Sequence, residues 1–86
     1  MSQNKEDLKN KIIYRATYRG TKEMDILMTT FVNSLINKLD ENYLKILDLF
    51  VNLDDETLIS LKKKESLSDY KDEKMLSIID KFQKFN

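Results

Sequence analysis

The sequence contains a single glycine, Gly20, and no proline, and this scarcity of turn residues most limits what the chain can fold into. Tight turns between strands depend on glycine, proline and related residues, so the composition disfavours a β architecture. Apolar residues instead recur at helical spacing, as Leu8, Ile12 and Ala16 do at positions i, i+4 and i+8. The sequence therefore predicts an all-α protein.

The helical pattern divides into five segments separated by short connections. Short connections force neighbouring helices to pack antiparallel or at steep angles, which predicts a compact five-helix bundle in one domain over residues 1–86. The predicted helices cover approximately residues 4–18, 21–38, 41–52, 56–63 and 69–85. Residues suited to cap the five N-termini are Asn4, Thr21, Asp40, Asp54 or Asp55, and Ser68.

Several classes of site are disfavoured by composition. The chain lacks cysteine and histidine, the usual ligands of zinc, haem and iron–sulfur clusters and the usual partners in nucleophilic catalysis. Fifteen basic residues balance fifteen acidic ones, so there is no global positive field for nucleic acid. A chain this short buries only about 60–65% of its unfolded surface, which disfavours a deep cofactor pocket. We expect no metal, no cofactor and no catalytic residues.

The N-terminal segment, residues 1–11, is polar and carries Glu6 and Asp7, unlike a secretory signal or a transit peptide. The longest run of apolar residues is three, far too short to span a membrane. We therefore expect a cytoplasmic protein, and a monomer when it is free.

The rarest residue types lie together at the junction of the first two predicted helices. Arg15 and Arg19 are the only arginines, and both lie within the five residues before Gly20. Arginine presents a planar fork suited to carboxylates and is enriched at interfaces. Glu23, in the first turn of the second helix, is placed to face back toward Arg19. This pattern predicts a charged corner for specific contacts, flanked by Tyr14 and Tyr18.

A simpler interpretation of the same residues stays open at this point. Gly20 would then only end the first helix, because glycine adopts the left-handed conformation that closes many helices. Arg19 and Glu23 would form a surface ion pair worth about 0–1 kcal/mol, and the two tyrosines would be half-buried edges of the core.

The stretch from Tyr14 to Asp25, YRATYRGTKEMD, resembles the signature of the SdhE-type flavinylation factors, called succinate dehydrogenase assembly factor 2 in mitochondria. The hallmark of that family is Arg-Gly-x-x-Glu, followed by an apolar helix and later by an acidic turn, here residues 54–56. The resemblance covers approximately residues 8–80. The chain departs from it at Tyr18, where many members have a second arginine, and at Ile59 and Leu61, where they have aromatic residues.

The resemblance implies a five-helix bundle that acts as an assembly factor and not as an enzyme. Such a factor binds the flavoprotein subunit of succinate dehydrogenase, or of the related fumarate reductase, and promotes covalent attachment of FAD to a histidine of that subunit. By the same resemblance, the contact surface contains Arg19, Gly20 and Glu23. The residues expected to support or flank it are Asp25, Arg15, Tyr14 and Tyr18.

Four other functions compete with this one. A mutase needs a long first helix running uninterrupted through Gly20, and a carrier domain needs an acidic chain with Asp before the serine that Ser66 would represent. A nucleic-acid module would use Lys62–Lys64, although three lysines at a helix end more commonly interact with the helix dipole. A helical protein-interaction adaptor with no flavin role is the alternative that remains.

Overall fold

The computed structural model describes residues 4–64 and 70–85, and these residues form five α-helices. The prediction of an all-α bundle is confirmed. The Cα radius of gyration is 12.3 Å, close to the value of about 12 Å for a compact chain of this length. The helices are α1 (Lys5–Thr17), α2 (Lys22–Leu35), α3 (Glu41–Val51), α4 (Asp55–Lys62) and α5 (Glu73–Lys84), with a 3-10 turn at Ile36–Lys38.

Side-chain caps begin the first three helices where the sequence places them. Asn4, Thr21 and Asp40 each accept a hydrogen bond from the backbone N–H three residues later, at 2.8, 3.4 and 2.9 Å. Such bonds satisfy donors that have no partner inside the helix. Asp54 occupies the N-cap position of α4, although its side chain makes no capping bond to the backbone.

The start of α5 differs from the predicted one. The helix begins at Glu73, not near residue 69, because the Asp72 carboxylate accepts from the N–H groups of Lys74 and Met75 at 2.9 and 3.1 Å. The sequence offered Ser68 as the cap, and both Ser68 and Ser66 lie outside the described residues. The 3-10 turn at Ile36–Lys38 likewise takes the last part of the predicted second helix.

The centre of the bundle is a cluster of phenylalanine side chains, called here the phenylalanine cluster. Phe31 of α2, Phe50 of α3 and Phe82 of α5 are almost fully buried, and Phe85 packs against Phe31. Ring centroids lie 5.8 Å apart for Phe31 and Phe50 and 5.2 Å apart for Phe31 and Phe82. Tilted and edge-on rings at this spacing attract one another beyond simple burial. The cluster joins three helices in one core.

The helix α1 packs against α2 and α3 with its predicted apolar stripe. Leu8, Ile12 and Ala16 are all buried, so the opposite face of α1 and its C-terminal end are left for polar contacts. None of the described helices is both long and apolar enough to cross a membrane.

The lysines at the end of α4 do not form a common basic patch. Lys62 donates to the carbonyl of Phe82 at 2.6 Å and to that of Phe85, at the negative end of α5. Its ammonium also lies 4.9 Å from the centre of the Phe82 ring, and burial lowers the pKa of Lys62 from its usual value. Lys62 therefore ties α4 to α5 and is not available to a phosphate backbone.

Candidate functional site

The junction of α1 and α2, residues 18–25, is called here the corner. The helix α1 ends at Thr17, and the N–H of Tyr18 still donates to the carbonyl of Tyr14 at 3.1 Å. Gly20 follows with φ of +111°, and no atom lies within 4 Å of the place where a Cβ would stand. Glycine is needed here for its backbone conformation and not for lack of space. The predicted turn at Gly20 is therefore present, three residues beyond the end of the helix.

The Arg19 side chain reaches from the corner to the junction of α3 and α4. Its Nε donates to Oδ1 of Asp55 at 2.9 Å, and its Nη1 and Nη2 donate to the carbonyls of Val51 and Leu53. Only 8% of the side chain is exposed, against 32% for Asp55. Every nitrogen of the guanidinium therefore has an acceptor inside the protein.

The position of this guanidinium also suits the two helix ends that meet there. Val51 is the last residue of α3, whose terminal carbonyls carry a partial negative charge, and Asp55 is the first residue of α4. Arg19 satisfies a carbonyl at the first end and pairs with a carboxylate at the second. A single side chain thus joins the α1–α2 and α3–α4 junctions.

The expected pairing of Arg19 with Glu23 is wrong. Among the described residues Arg19 forms its salt bridge with Asp55, and Glu23 is exposed in the first turn of α2. The reason is the fork of the guanidinium, which finds a carboxylate and two carbonyls together at the α3–α4 junction. Arg19 does face back into α2 through its backbone, because its N–H donates to Oδ1 of Asp25 at 2.7 Å.

Two basic residues of α1, Lys11 and Arg15, also reach toward α3, as Arg19 does from the turn after the helix. Lys11 Nζ lies 3.2 Å from Oδ2 of Asp48, and Arg15 Nε donates to Oδ1 of Asn52 at 2.8 Å. Lys11 and Arg15 are four residues apart, so they lie on one side of α1, and Arg19 follows them beyond the end of the helix. Their acceptors follow the polar side of α3 into α4. Sequence reasoning missed these acceptors, although the acidic turn at residues 54–56 was one signal that could have found Asp55.

Tyr14 and Tyr18 lie on the outer side of the corner. Their side chains are 63% and 67% exposed, so the interpretation as half-buried core edges is wrong. The two rings pack on each other with centroids 4.8 Å apart. Exposed tyrosine pairs offer large, fairly rigid contact area, which is why tyrosine is enriched at interfaces.

Beside Tyr18 lies a shallow polar depression of about 170 Å³, bounded by Arg15, Arg19 and residues 51–54. Pockets that enclose drug-sized ligands measure about 300–1,000 Å³, so the depression suits a side chain of a partner better than a flavin.

On the other side of the corner, Glu23 borders an apolar groove formed with Ile26, Leu27 and Phe85. No group of three or more acidic residues that could hold a metal ion occurs in the described part of the chain.

The geometry thus places the predicted residues in two sets. Arg19 and Asp25 are tied into the corner, with Arg15 linked to Asn52 at its edge. The second set is exposed to solvent and contains Tyr14, Tyr18, Gly20 and Glu23.

Comparison with known proteins decides the family. The model of the family Sdh5, described as "Flavinator of succinate dehydrogenase", matches residues 10–83. The chain belongs to the Sdh5 family. This confirms the resemblance found in the motif, and the matched region includes both the corner and Asp55. The family consists of assembly factors rather than enzymes.

A curated relative carries a corresponding name. The chain is 34% identical over 56 residues to "Succinate dehydrogenase assembly factor 2, mitochondrial" of Arabidopsis thaliana. The alignment covers 65% of this chain and 30% of the relative, so the chain spans less than a third of that relative's length. No solved structure matches the chain significantly.

Proposed function

We propose that this Sdh5-family chain binds the flavoprotein subunit of succinate dehydrogenase, or of the related fumarate reductase, and promotes covalent attachment of FAD to a histidine of that subunit. The observation that carries the proposal is the corner itself. Arg19 and Gly20 of the family motif lie in the turn between α1 and α2, Glu23 lies in the first turn of α2, and Arg19 is bonded to Asp25 and Asp55.

In this proposal the two sets of residues have different tasks. Glu23, Gly20, Tyr14 and Tyr18 are exposed and make the contacts with the flavoprotein. Arg15 stands at the edge of the polar depression, where an acidic side chain of the partner would find it. Arg19 belongs to the same surface, but with its side chain 8% exposed it contributes mainly by shaping the turn.

The chemistry belongs to the flavoprotein and not to this chain. The chain has no histidine or cysteine, the residues that usually carry a covalent flavin. Its contribution is differential binding: it stabilises the domain arrangement of the flavoprotein in which the flavin and the acceptor histidine are held in reactive geometry. The free protein is proposed to be a cytoplasmic monomer that meets the flavoprotein before the dehydrogenase is complete.

Co-expression with the flavoprotein subunit of the same organism tests the proposal. Covalent flavin is measured by fluorescence of the denatured subunit in a gel, with and without this chain. We expect the chain to increase covalent FAD, and Glu23→Ala to reduce its effect about tenfold, as loss of a hot-spot contact at an interface does. No gain in covalent FAD with the wild-type chain would refute the proposal.

Glu41→Ala is the matched control for Glu23→Ala. Glu41 is also exposed and also lies in the first turn of a helix, so both changes remove one charge near a helix N-terminus. Glu41→Ala is expected to support full FAD attachment. Equal losses from both variants would show that Glu23 has no specific role. A pull-down from the native organism that recovers other partners and no flavoprotein would favour the adaptor alternative.

A further inference from the structure

No distant residue fills the place where a side chain of residue 20 would stand, so contacts on that side do not fix the backbone conformation at Gly20. Apart from Gly20 and its two chain neighbours, no residue has an atom within 4 Å of the Cβ position, and φ is +111°. Glycine has the widest conformational freedom of any residue, so an exposed glycine samples several conformations unless adjacent residues prevent it. The shape of the corner must therefore come from the residues that flank Gly20.

Arg19 is the flanking residue that is tied at both ends. Its N–H donates to the Asp25 carboxylate at 2.7 Å, and its guanidinium binds the α3–α4 junction. The peptide that leads into Gly20 is thereby attached to α2 through the backbone and to α3–α4 through the side chain. A loss of either attachment leaves one end of the turn without restraint.

Asp55 supplies the charged part of the second attachment. It accepts from Arg19 Nε at 2.9 Å, and it is the acidic residue of the described chain that forms a salt bridge with Arg19. The carbonyls of Val51 and Leu53 accept from the other two nitrogens, but neutral acceptors bind a guanidinium less strongly than a carboxylate does. Glu56, the next residue, is exposed and carries the same charge in the same helical turn.

We infer that Asp55 is a positioning residue for FAD attachment: it holds Arg19 so that Gly20 and Glu23 are presented to the flavoprotein in one arrangement. In this inference Asp55 touches neither the flavin nor the acceptor histidine. It lies 36 residues beyond Arg19 in the sequence and acts on the motif through its side-chain contact with Arg19. This inference rests on the proposed function, so its test includes one measurement that needs no flavoprotein.

That first measurement uses the single glycine of the chain as a reporter. Selective ¹⁵N-glycine labelling gives one glycine amide signal in a ¹H–¹⁵N correlation spectrum, and it belongs to Gly20. In Asp55→Ala we expect this signal to shift or broaden, because the turn becomes mobile. In Glu56→Ala, which removes the same charge from the same helix end, the signal should stay in place. Asp55→Glu should restore it, because the longer carboxylate still reaches Nε.

The second measurement is the rate of FAD attachment to the co-expressed flavoprotein. We expect Asp55→Ala to lower the rate about tenfold, since small displacements of binding groups have large effects on reactive geometry. Asp55→Glu should recover most of the rate, and Glu56→Ala should keep it. Ile79→Val, a conservative change in the buried face of α5, lowers stability without touching the corner and should also keep the rate.

The outcomes separate the two proposals. An unchanged Gly20 signal in a folded Asp55→Ala variant overturns the positioning role, whatever the flavoprotein does. A changed signal with a wild-type rate of FAD attachment overturns it as well. A changed signal with a reduced rate that Asp55→Glu rescues supports it. If the wild-type chain gives no FAD attachment at all, the proposed function fails. The spectra alone then show whether Asp55 restrains the conformation of Gly20.

Discussion

The corner leads into the start of α2, the phenylalanine cluster includes Phe31 from later in the same helix, and the two regions are stabilised in different ways. At the phenylalanine cluster, Phe31 contacts three other rings, and the contacts depend on volume and shape. At the corner, Arg19 contacts a carboxylate and two carbonyls, and the contacts depend on direction and charge. Apolar packing tolerates many sequences of similar volume, whereas the fork of an arginine accepts few substitutes. The corner is therefore where a small change alters shape without removing the core.

The largest effect is expected in the phenylalanine cluster. Phe31→Ala removes the ring that α3 and α5 share and should lower the free energy of unfolding by about 3–5 kcal/mol. This is a large part of the roughly 5–15 kcal/mol that stabilises a domain. Urea denaturation followed by circular dichroism measures it. Leu49→Ala, at an exposed position of α3, is the control, and similar losses from both variants would contradict the assignment of the core.

At the corner, Arg19→Ala should lower the free energy of unfolding by about 2–3 kcal/mol, because it leaves the part-buried Asp55 and two carbonyls without their donor. Arg15→Ala removes one exposed hydrogen bond and should change it by at most about 1 kcal/mol. Urea denaturation of both variants compares them directly. Equal values would mean that the buried arginine stabilises the protein no more than the exposed one. Directional contacts of Arg19 would then not be what stabilises the corner.

Gly20→Ala should have a smaller effect on stability, about 1–2 kcal/mol, from backbone strain alone, since space for the methyl group is free. Gly20→Asn should lose less, because asparagine adopts positive φ more readily than alanine does. FAD attachment should fall further with Gly20→Ala than with Ile79→Val. If FAD attachment instead follows stability alone across these variants, the corner has no role beyond folding.

The smallest effect is expected at an exposed ion pair on α5. Lys84 and Asp80 approach to 3.1 Å, but their side chains are 75% and 57% exposed. Lys84→Ala should change the free energy of unfolding by no more than about 0.5 kcal/mol, because water and salt screen such pairs. Denaturation at low and high salt checks this. A loss as large as that of Arg19→Ala would show that burial does not distinguish the two ion pairs.

Much of the fold was predictable from local patterns. The apolar stripe of α1 and the caps Asn4, Thr21 and Asp40 depend on residues three or four positions apart, so they are visible in the sequence. The start of α5 was not predictable to the residue. Ser68 and Asp72 are both acceptable caps by residue type, and the described structure places the helix start after Asp72.

The candidate site was predictable as a place but not as a set of contacts. The clustering of Arg15, Arg19 and Gly20 pointed to the corner, and the family is confirmed. The pairing within the motif was wrong, because the expected partner, Glu23, was chosen for being near in sequence. The partners of the Arg19 side chain lie 32 to 36 residues away.

By itself the sequence determined the helical class, the caps of the first helices, the sharp turn at Gly20 and the family. These follow from backbone conformation, spacing and a local motif, all of which act over a few residues. Only the tertiary structure decided that Arg19 points inward to Asp55 while Glu23, Tyr14 and Tyr18 remain exposed. The physical reason is that the end of α3 and the start of α4 provide a carboxylate and two free carbonyls together, and the packing of α1 on α3 brings them within reach of Arg19.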